Sequence, residues 1–251
     1  MSDSPSPVVA LASMLRARRV RNPHPIGDGI VDHSQLAAIL ETLRTTGVAG
    51  LSAERQRIAE YQADLAEIDP DTLSPTGALA YWLNLYNAGA LDLAAETYEQ
   101  NRASVLRTPG AFHRPSVTVA GERLSLDDIE HGKVRRFRDP RIHAALVCGS
   151  ASCPTLRFEP YDGNRLEEQL ETQMGDFLSG GGAIRRGSQL MLSRVFLWYG
   201  SDFVRSHRMP SLLPAGKAAV RRSLIPWLGD PDDAERIVYQ PFDWALACSI
   251  R

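Results

Sequence analysis

The stretch from Ala78 to about Glu99 is apolar on nearly all sides, and it constrains the fold more than any other part of the chain. It follows Ser74-Pro75, and a serine N-cap with proline at the first helical position is typical of a helix start. A helix that is hydrophobic all round must be buried. The sequence therefore predicts one long central helix that the rest of the chain covers.

The chain has 251 residues, enough to bury a sizeable core. Residues 1–30 are rich in Ser, Pro, Arg and Gly, which predicts a flexible N-terminal arm with one short helix near Val8–Arg19. No internal repeat or convincing linker follows, so residues 31–251 are expected to form a single domain.

Helical signals dominate the first half of this domain, and strand signals enter later. Helices are predicted at Gln35–Thr45, Ala53–Ala66, Ser125 to about Phe137, Asp162 or Asn164 to about Leu178, Phe196–Val204 and Lys217–Leu228. Strands are predicted at Val117–Val119 and Arg123–Leu124 as a hairpin, Ile142–Val147, Gln189–Leu192, Arg236–Tyr239 and Trp244–Ala247. Without strict alternation of strand and helix, the fold class is α+β, mostly helical, with a central, largely antiparallel sheet.

The composition of the chain bears on its cellular location and on the classes of partner it can bind. The net charge of −2 gives no reason to expect nucleic acid or an anionic membrane surface. A weaker hypothesis of nucleic-acid binding rests on Arg16–Arg21 and Lys133–Arg141 and requires steep salt dependence. No apolar run reaches the length of a membrane span, and three cysteines without a secretion signal predict a reducing, cytoplasmic location. The expected partner is a small molecule or peptide, no cofactor is expected, and the oligomeric state is left open.

The sharpest chemical feature is the segment Cys148-Gly-Ser-Ala-Ser-Cys153-Pro154, which we call the cysteine loop. Small residues let the backbone turn tightly and expose N–H groups that can stabilise a thiolate or an oxyanion. Cys148 ends an apolar run, where a cysteine is usually a small buried hydrophobe. Cys153 lies in the loop itself, where a reactive thiol and a packed side chain are both open interpretations.

Two cysteines four residues apart can also bridge each other or share a metal. The metal interpretation is weak because a zinc site needs about four ligands and the closer C-x2-C spacing is absent. No metal site is therefore predicted.

A reactive thiol needs a base, and the candidates are His113, His131, His143 and His207. His131 lies on a capped helix just before the predicted strand that leads to the cysteines. Its neighbour Glu130 points to another helical face, whereas Asp127 and Asp128 lie one turn away and are better placed to orient it. The alternative is that His131 is a hydrogen-bonded structural residue.

Asn84 and Asn87 lie on one face of the long helix and need hydrogen-bond partners inside an apolar segment. They can bind a neighbouring backbone edge, which we favour, or orient a catalytic histidine.

Three blocks resemble the conserved motifs of the family called domain of unknown function 547. They are Tyr81-Trp-Leu-Asn-Leu-Tyr-Asn-Ala88, Leu124-Ser-Leu-Asp-Asp-Ile-Glu-His-Gly132 and Arg141-Ile-His-Ala-Ala-Leu-Val-Cys-Gly-Ser-Ala-Ser-Cys-Pro154. Phe196-Leu-Trp-Tyr199 and Phe242-Asp-Trp-Ala-Leu246 resemble its closing motifs, so the family-like core spans about residues 70–251. The resemblance implies a shared fold and shared residues at Asn84, Asn87, Glu130, His131, Cys148 and Cys153.

Eukaryotic relatives join this kind of domain to signalling or glutaredoxin-like modules, so the resemblance hints at thiol chemistry or regulation. One position departs from the family pattern. Relatives tend to end in Asp-Trp-Ser-Leu-Asn, whereas this chain reads Asp243-Trp-Ala-Leu-Ala247. Ala247 stands where the relatives have that terminal asparagine, so this chain lacks whatever function the asparagine performs in them.

The leading hypothesis is a thiol-dependent hydrolase or acyl transferase. Cys153 would be the nucleophile with Cys148 as the fallback, His131 the base, and Asn84 or Asn87 its orienting group. The alternative is a non-catalytic interaction domain or a redox-sensitive regulatory domain, in which the two cysteines are core residues or a redox-sensitive pair and the asparagines are structural.

Overall fold

The computed structural model describes Ala12 and residues 14–211, 213–232 and 234–250. The predicted short helix Val8–Arg19 lies partly outside these residues, which include a helical turn at 14–17. From the predicted arm, the Arg16 side chain donates hydrogen bonds to Asp128 (3.2 Å) and Ser125 (2.9 Å). Within the described ranges, no helix has both the length and the apolar character needed to cross a membrane.

The long apolar helix predicted from the sequence is confirmed as α3, Pro75–Glu99. The helix α2, Val48–Ala66, packs against α3, and α1, Ser34–Thr46, packs against α2. The N-cap of α3 is Ser74, whose hydroxyl accepts a hydrogen bond from the Gly77 amide at 3.0 Å. Nearly every residue from Gly77 to Ala95 is buried. The helix therefore forms the centre of the larger hydrophobic core.

The remaining helices are short and surround α3 or form a second, smaller core. They are α4, Leu126–Gly132; α5, Ile142–Ala145; α6, Leu166–Phe177; α7, Val195–Trp198; α8, Gly200–Val204; α9, Lys217–Ser223; and α10, Ile225–Leu228. The predicted capping box of α4 is present, with Ser125 and Asp128 each accepting from the other's backbone amide.

Two small sheets complete the fold. β1, Pro115–Val119, and β2, Glu122–Ser125, form the predicted antiparallel hairpin. β3, Ala183–Arg186, pairs antiparallel with β4, Gln189–Leu192, and β4 pairs parallel with β5, Arg236–Tyr239.

The α+β class is confirmed, and two of the three strand pairings are antiparallel, but the predicted central position of the sheet is wrong. Because α3 is buried on all sides, the helix occupies the centre of the larger core, and the three-stranded sheet packs outside that core. Leu190 and Leu192 of β4 are buried in the second core with Phe196 and Val220.

The predicted strand Ile142–Val147 is also wrong, because its first four residues form α5. A short apolar run reads alike as a buried strand or a buried helical turn. After α5 the chain extends, and the Asn87 side chain supplies the hydrogen bonds that a neighbouring strand would have made. The predicted closing strand Trp244–Ala247 is reduced to a bridge between Leu246 and Ser150.

Candidate functional site: the cysteine loop

The cysteine loop begins where the extended chain after α5 leaves the core. Cys148 and Cys153 are joined by a disulfide, and both side chains are partly exposed. Gly149 has φ +72°, and a Cβ there would lie 3.2 Å from Val105 and 3.3 Å from Ala94. Glycine is therefore required at this bend by both its backbone conformation and the close packing.

Polar groups surround the two sulfurs. The Cys148 amide donates to Cys153 Sγ at 3.0 Å, and Ser150 Oγ lies 3.1 Å from Cys148 Sγ and 3.4 Å from Cys153 Sγ. A serine hydroxyl has one proton to donate, so it can serve one sulfur at a time. Because Cys153 also receives the backbone N–H, it is the sulfur on which negative charge is better stabilised.

Asn87 holds the entrance to the loop. Its Nδ2 donates to the Ala145 carbonyl and its Oδ1 accepts from the Val147 amide, each at 3.1 Å. Asn84 does the same for the chain after the loop, donating to the Tyr161 carbonyl (2.8 Å) and accepting from the Tyr161 amide (2.9 Å). Both side chains thus tie the backbone around the loop to α3, and neither hydrogen-bonds to a histidine.

The chain end forms one wall of the site. A cavity of about 10 Å³ lies between the loop and residues 247–249, with Cys153 and Cys248 in its lining. This volume is roughly that of one water-sized probe, so the loop closes on the chain end without a substrate-sized pocket between them. Cys248 is the free cysteine, and burial raises the pKa of its thiol to about 12.

Glu130 and His131 lie on α4 and are buried in a polar cluster rather than at the sulfurs. Arg135 Nη1 lies 3.3 Å from His131 Nδ1, and a Glu130 carboxylate oxygen lies 3.5 Å from the same nitrogen. With the guanidinium donating to it, Nδ1 acts as an acceptor. Burial lowers the pKa of His131, which agrees with a neutral ring.

Asp202, on α8, is the centre of this cluster. It accepts hydrogen bonds from Arg135 (2.7 and 3.0 Å), from His143 Nε2 (2.9 Å) and from the Ser211 amide (3.1 Å), and neither Asp202 nor Arg135 is accessible to solvent. Burial alone would raise the pKa of Asp202, but the hydrogen bonds from His143 and Arg135 outweigh it and hold that pKa below its usual range.

His143 precedes the cysteine loop in sequence, yet its ring faces the second core. It stacks on Tyr199 with ring centroids 4.0 Å apart. Burial lowers the pKa of His143, since desolvation outweighs the hydrogen bond to Asp202.

The structure brings the two predicted cysteines together and leaves the predicted base elsewhere. In residues 14–211, 213–232 and 234–250, hydrogen bonds to the two sulfurs come from Ser150 and the Cys148 amide, and none comes from an imidazole. The carboxylates expected to orient His131 are engaged elsewhere, Asp127 with His113 (2.5 Å) and Asp128 with Ser125.

Sequence reasoning missed Ser150, Arg135 and Asp202 as site residues. Ser150 was visible between the cysteines and could have been assigned from its spacing. Arg135 follows His131 by one helical turn and so shared a face with it. Asp202 carried no local signal, because its side-chain partners His143 and Arg135 lie 59 and 67 residues away.

Comparison with protein families matches residues 70–178 to the family described as "Protein of unknown function, DUF547". This segment is a DUF547 domain. The resemblance inferred from the sequence motifs is thereby confirmed for the part that contains α3, the hairpin, α4 to α6 and the cysteine loop. Comparison with curated proteins and with solved structures finds no match.

Proposed function

We propose that the DUF547 domain of this chain carries a redox-active cysteine pair, which opens and closes by thiol–disulfide exchange. The observation that carries the proposal is the bond between Cys148 and Cys153 in a partly exposed loop. This develops the redox-sensitive alternative of the sequence hypotheses rather than the hydrolytic one. The partner is a small thiol or a thiol-bearing peptide.

The polar contacts assign a direction to the exchange. A partner thiolate attacks Cys148 Sγ, a bond forms between these sulfurs, and the bond to Cys153 breaks. Cys153 leaves as a thiolate, which accepts hydrogen bonds from the Cys148 amide and the Ser150 hydroxyl. A second partner thiol then attacks the partner's own sulfur in the mixed disulfide and releases Cys148. The partner is oxidised to a disulfide, and this domain is reduced to a dithiol by two electrons.

A cytoplasmic location, which the composition predicts, supports a reversible role. Disulfides in reducing compartments are usually transient and are catalytic or redox-sensing rather than permanent braces. Both cysteine residues are partly exposed, which gives a reductant access to the loop that holds the bond.

The test uses cysteine-to-serine variants exposed to oxidised glutathione and examined by intact mass spectrometry, and Cys248 is replaced by serine in every variant except the one that retains Cys248 alone. With Cys153→Ser, we expect a stable mixed disulfide at Cys148, because the resolving sulfur is gone. With both cysteines present, the mixed disulfide should not accumulate. Equal, slow labelling of Cys148, Cys153 and Cys248 in matched single-cysteine variants would exclude a reactive pair.

A second candidate function is the thiol-dependent hydrolase or acyl transferase, with Cys153 as nucleophile in the dithiol form. The observation that favours it is the pair of donors around Cys153 Sγ, which can stabilise a thiolate without a histidine. Reduced protein treated with an activated thioester should then carry an acyl group on Cys153, found by peptide mass spectrometry. A Cys153→Ser variant is the matched control, and acylation at equal levels in both would reject this candidate.

A further inference from the structure

The last described residues of the chain are fastened to the cysteine loop by their backbone. We call residues 243–250 the C-terminal segment. Main-chain and side-chain hydrogen bonds join this segment to the cysteine loop and to Leu156, two residues after the loop. The bonds are Ala151 N to Ala245 O (2.9 Å), Ser152 N to Asp243 O (3.2 Å), Asp243 N to Ser152 Oγ (2.9 Å), Ala247 N to Gly149 O (3.1 Å) and Leu156 N to Ser249 O (2.8 Å).

We propose that the disulfide acts as a latch for this segment, so that reduction of Cys148–Cys153 releases the segment from the loop. Four of the five bonds involve Gly149, Ala151 or Ser152, which lie inside the ring that the disulfide closes. Opening the ring restores backbone freedom to the residues that hold the segment. The biological trigger of this release rests on the proposed redox function. The link between the closed disulfide and the attached segment does not depend on that function.

The C-terminal segment has few other main-chain attachments to replace these. Among the described residues, its bonds outside the loop region include Leu246 N to Ala103 O at 2.9 Å. It pairs with neighbours through single bridges, Leu246 with Ser150 and Ile250 with Leu156, rather than as a strand of either sheet. Three of its side chains, Leu246, Cys248 and Ile250, rest against the larger core.

Cys248 gives this latch a built-in reporter. It lies in the segment, its side chain is largely buried, and a Cβ on Gly149 would lie 4.0 Å from its sulfur. In the closed state the loop covers Cys248, and release of the segment uncovers it. A thiol uncovered in this way reacts faster with alkylating agents because it gains both access and hydration.

The experiment compares two full-length proteins in which Cys248 is the one thiol available, oxidised wild type and the Cys148→Ser, Cys153→Ser double variant. Iodoacetamide labelling of Cys248 is followed by mass spectrometry. We expect labelling to be faster in the double variant, by up to about forty-fold if the loop-closure entropy is expressed in full. Equal rates would overturn the proposal.

Hydrogen–deuterium exchange separates release of the segment from loss of the whole fold. Wild type is compared with and without a phosphine reductant, so no substitution is involved. At short labelling times we expect exchange to rise at residues 243–250 and 149–152, while α3, whose amides exchange on unfolding of the whole fold, stays protected. Exchange rising equally in α3, or rising nowhere, would contradict the latch.

The same data distinguish this inference from the proposed function. Failure of glutathione exchange together with faster Cys248 labelling in the double variant would reject the redox function and leave the mechanical latch intact. Rapid thiol–disulfide exchange with glutathione, together with an unchanged labelling rate of Cys248, would support the redox function and reject the latch.

Discussion

Opening the disulfide between Cys148 and Cys153 should lower the free energy of unfolding by about 2 kcal/mol. The two residues are separated by five positions, and the chain-entropy relation gives roughly this value for so short a closed loop. The sulfurs remain in place after reduction, so no cavity adds to the cost. The Cys148 amide and Ser150 hydroxyl keep a sulfur acceptor nearby, which limits any loss of hydrogen bonding.

Differential scanning calorimetry with and without reductant measures this effect. A loss of about 2 kcal/mol in a chain of this size corresponds to a fall in Tm of about 4–8 °C. The Cys148→Ser, Cys153→Ser double variant should match the reduced protein and should not respond to reductant, whereas Cys248→Ser should respond as wild type does. A reduced protein with unchanged or higher Tm would refute the reasoning that this bond restrains the unfolded chain.

Three further changes probe buried polar groups of the fold. Arg135→Met should cost about 3–5 kcal/mol in urea denaturation, because it leaves the buried Asp202 charge unpaired, while Arg44→Ala at an exposed pair should cost under about 1 kcal/mol; equal costs would contradict this. His33 is buried with a pKa of about 4, so the unfolded chain binds its proton first, and stability should fall by about 3 kcal/mol as pH drops from about 6.5 to 4. A His33→Gln variant should flatten that pH dependence, and an identical profile would count against it. Asn87→Ala should cost about 2–4 kcal/mol in the same denaturation assay, since it strands a buried carbonyl and a buried amide; a loss below about 0.5 kcal/mol would be inconsistent with their burial.

Local signals in the sequence predicted the parts of the fold that local physics decides. Ser74 and Pro75 mark the start of α3 because a cap and a fixed φ act within one turn. The capping box of Ser125 and Asp128 and the hairpin around Gly121 are short-range in the same sense.

The predictions that failed concern elements whose structure depends on contacts between residues far apart in the chain. Ile142–Ala145 is helical and packs with α3 and α6, whose Asn87 and Gln173 side chains donate hydrogen bonds to its last two carbonyls. An apolar run alone does not reveal these partners. The parallel pairing of β4 with β5 joins residues far apart along the chain, and it depends on the packing of the second core.

The candidate site shows the same division. The cysteine loop was predicted from its small residues and spacing, and bridging of its cysteines was one of the open alternatives. The catalytic pairing of a cysteine with His131 stays a prediction, and the hydrogen bonds do not support it. Arg135 contacts His131 and also donates to Asp202, so His131 belongs to the Asp202 cluster. That long-range ion pair was invisible in any local window of sequence.

A redox titration tests the central claim most directly. Wild-type protein is equilibrated in buffers of graded thiol to disulfide ratio, quenched in acid and alkylated, and its free thiols are counted by mass. The account predicts a two-electron transition from a state with Cys248 alone alkylated to a state with all three cysteines alkylated. A protein that keeps Cys148 and Cys153 as free thiols under every oxidising buffer, or keeps them bonded under every reducing one, would contradict it.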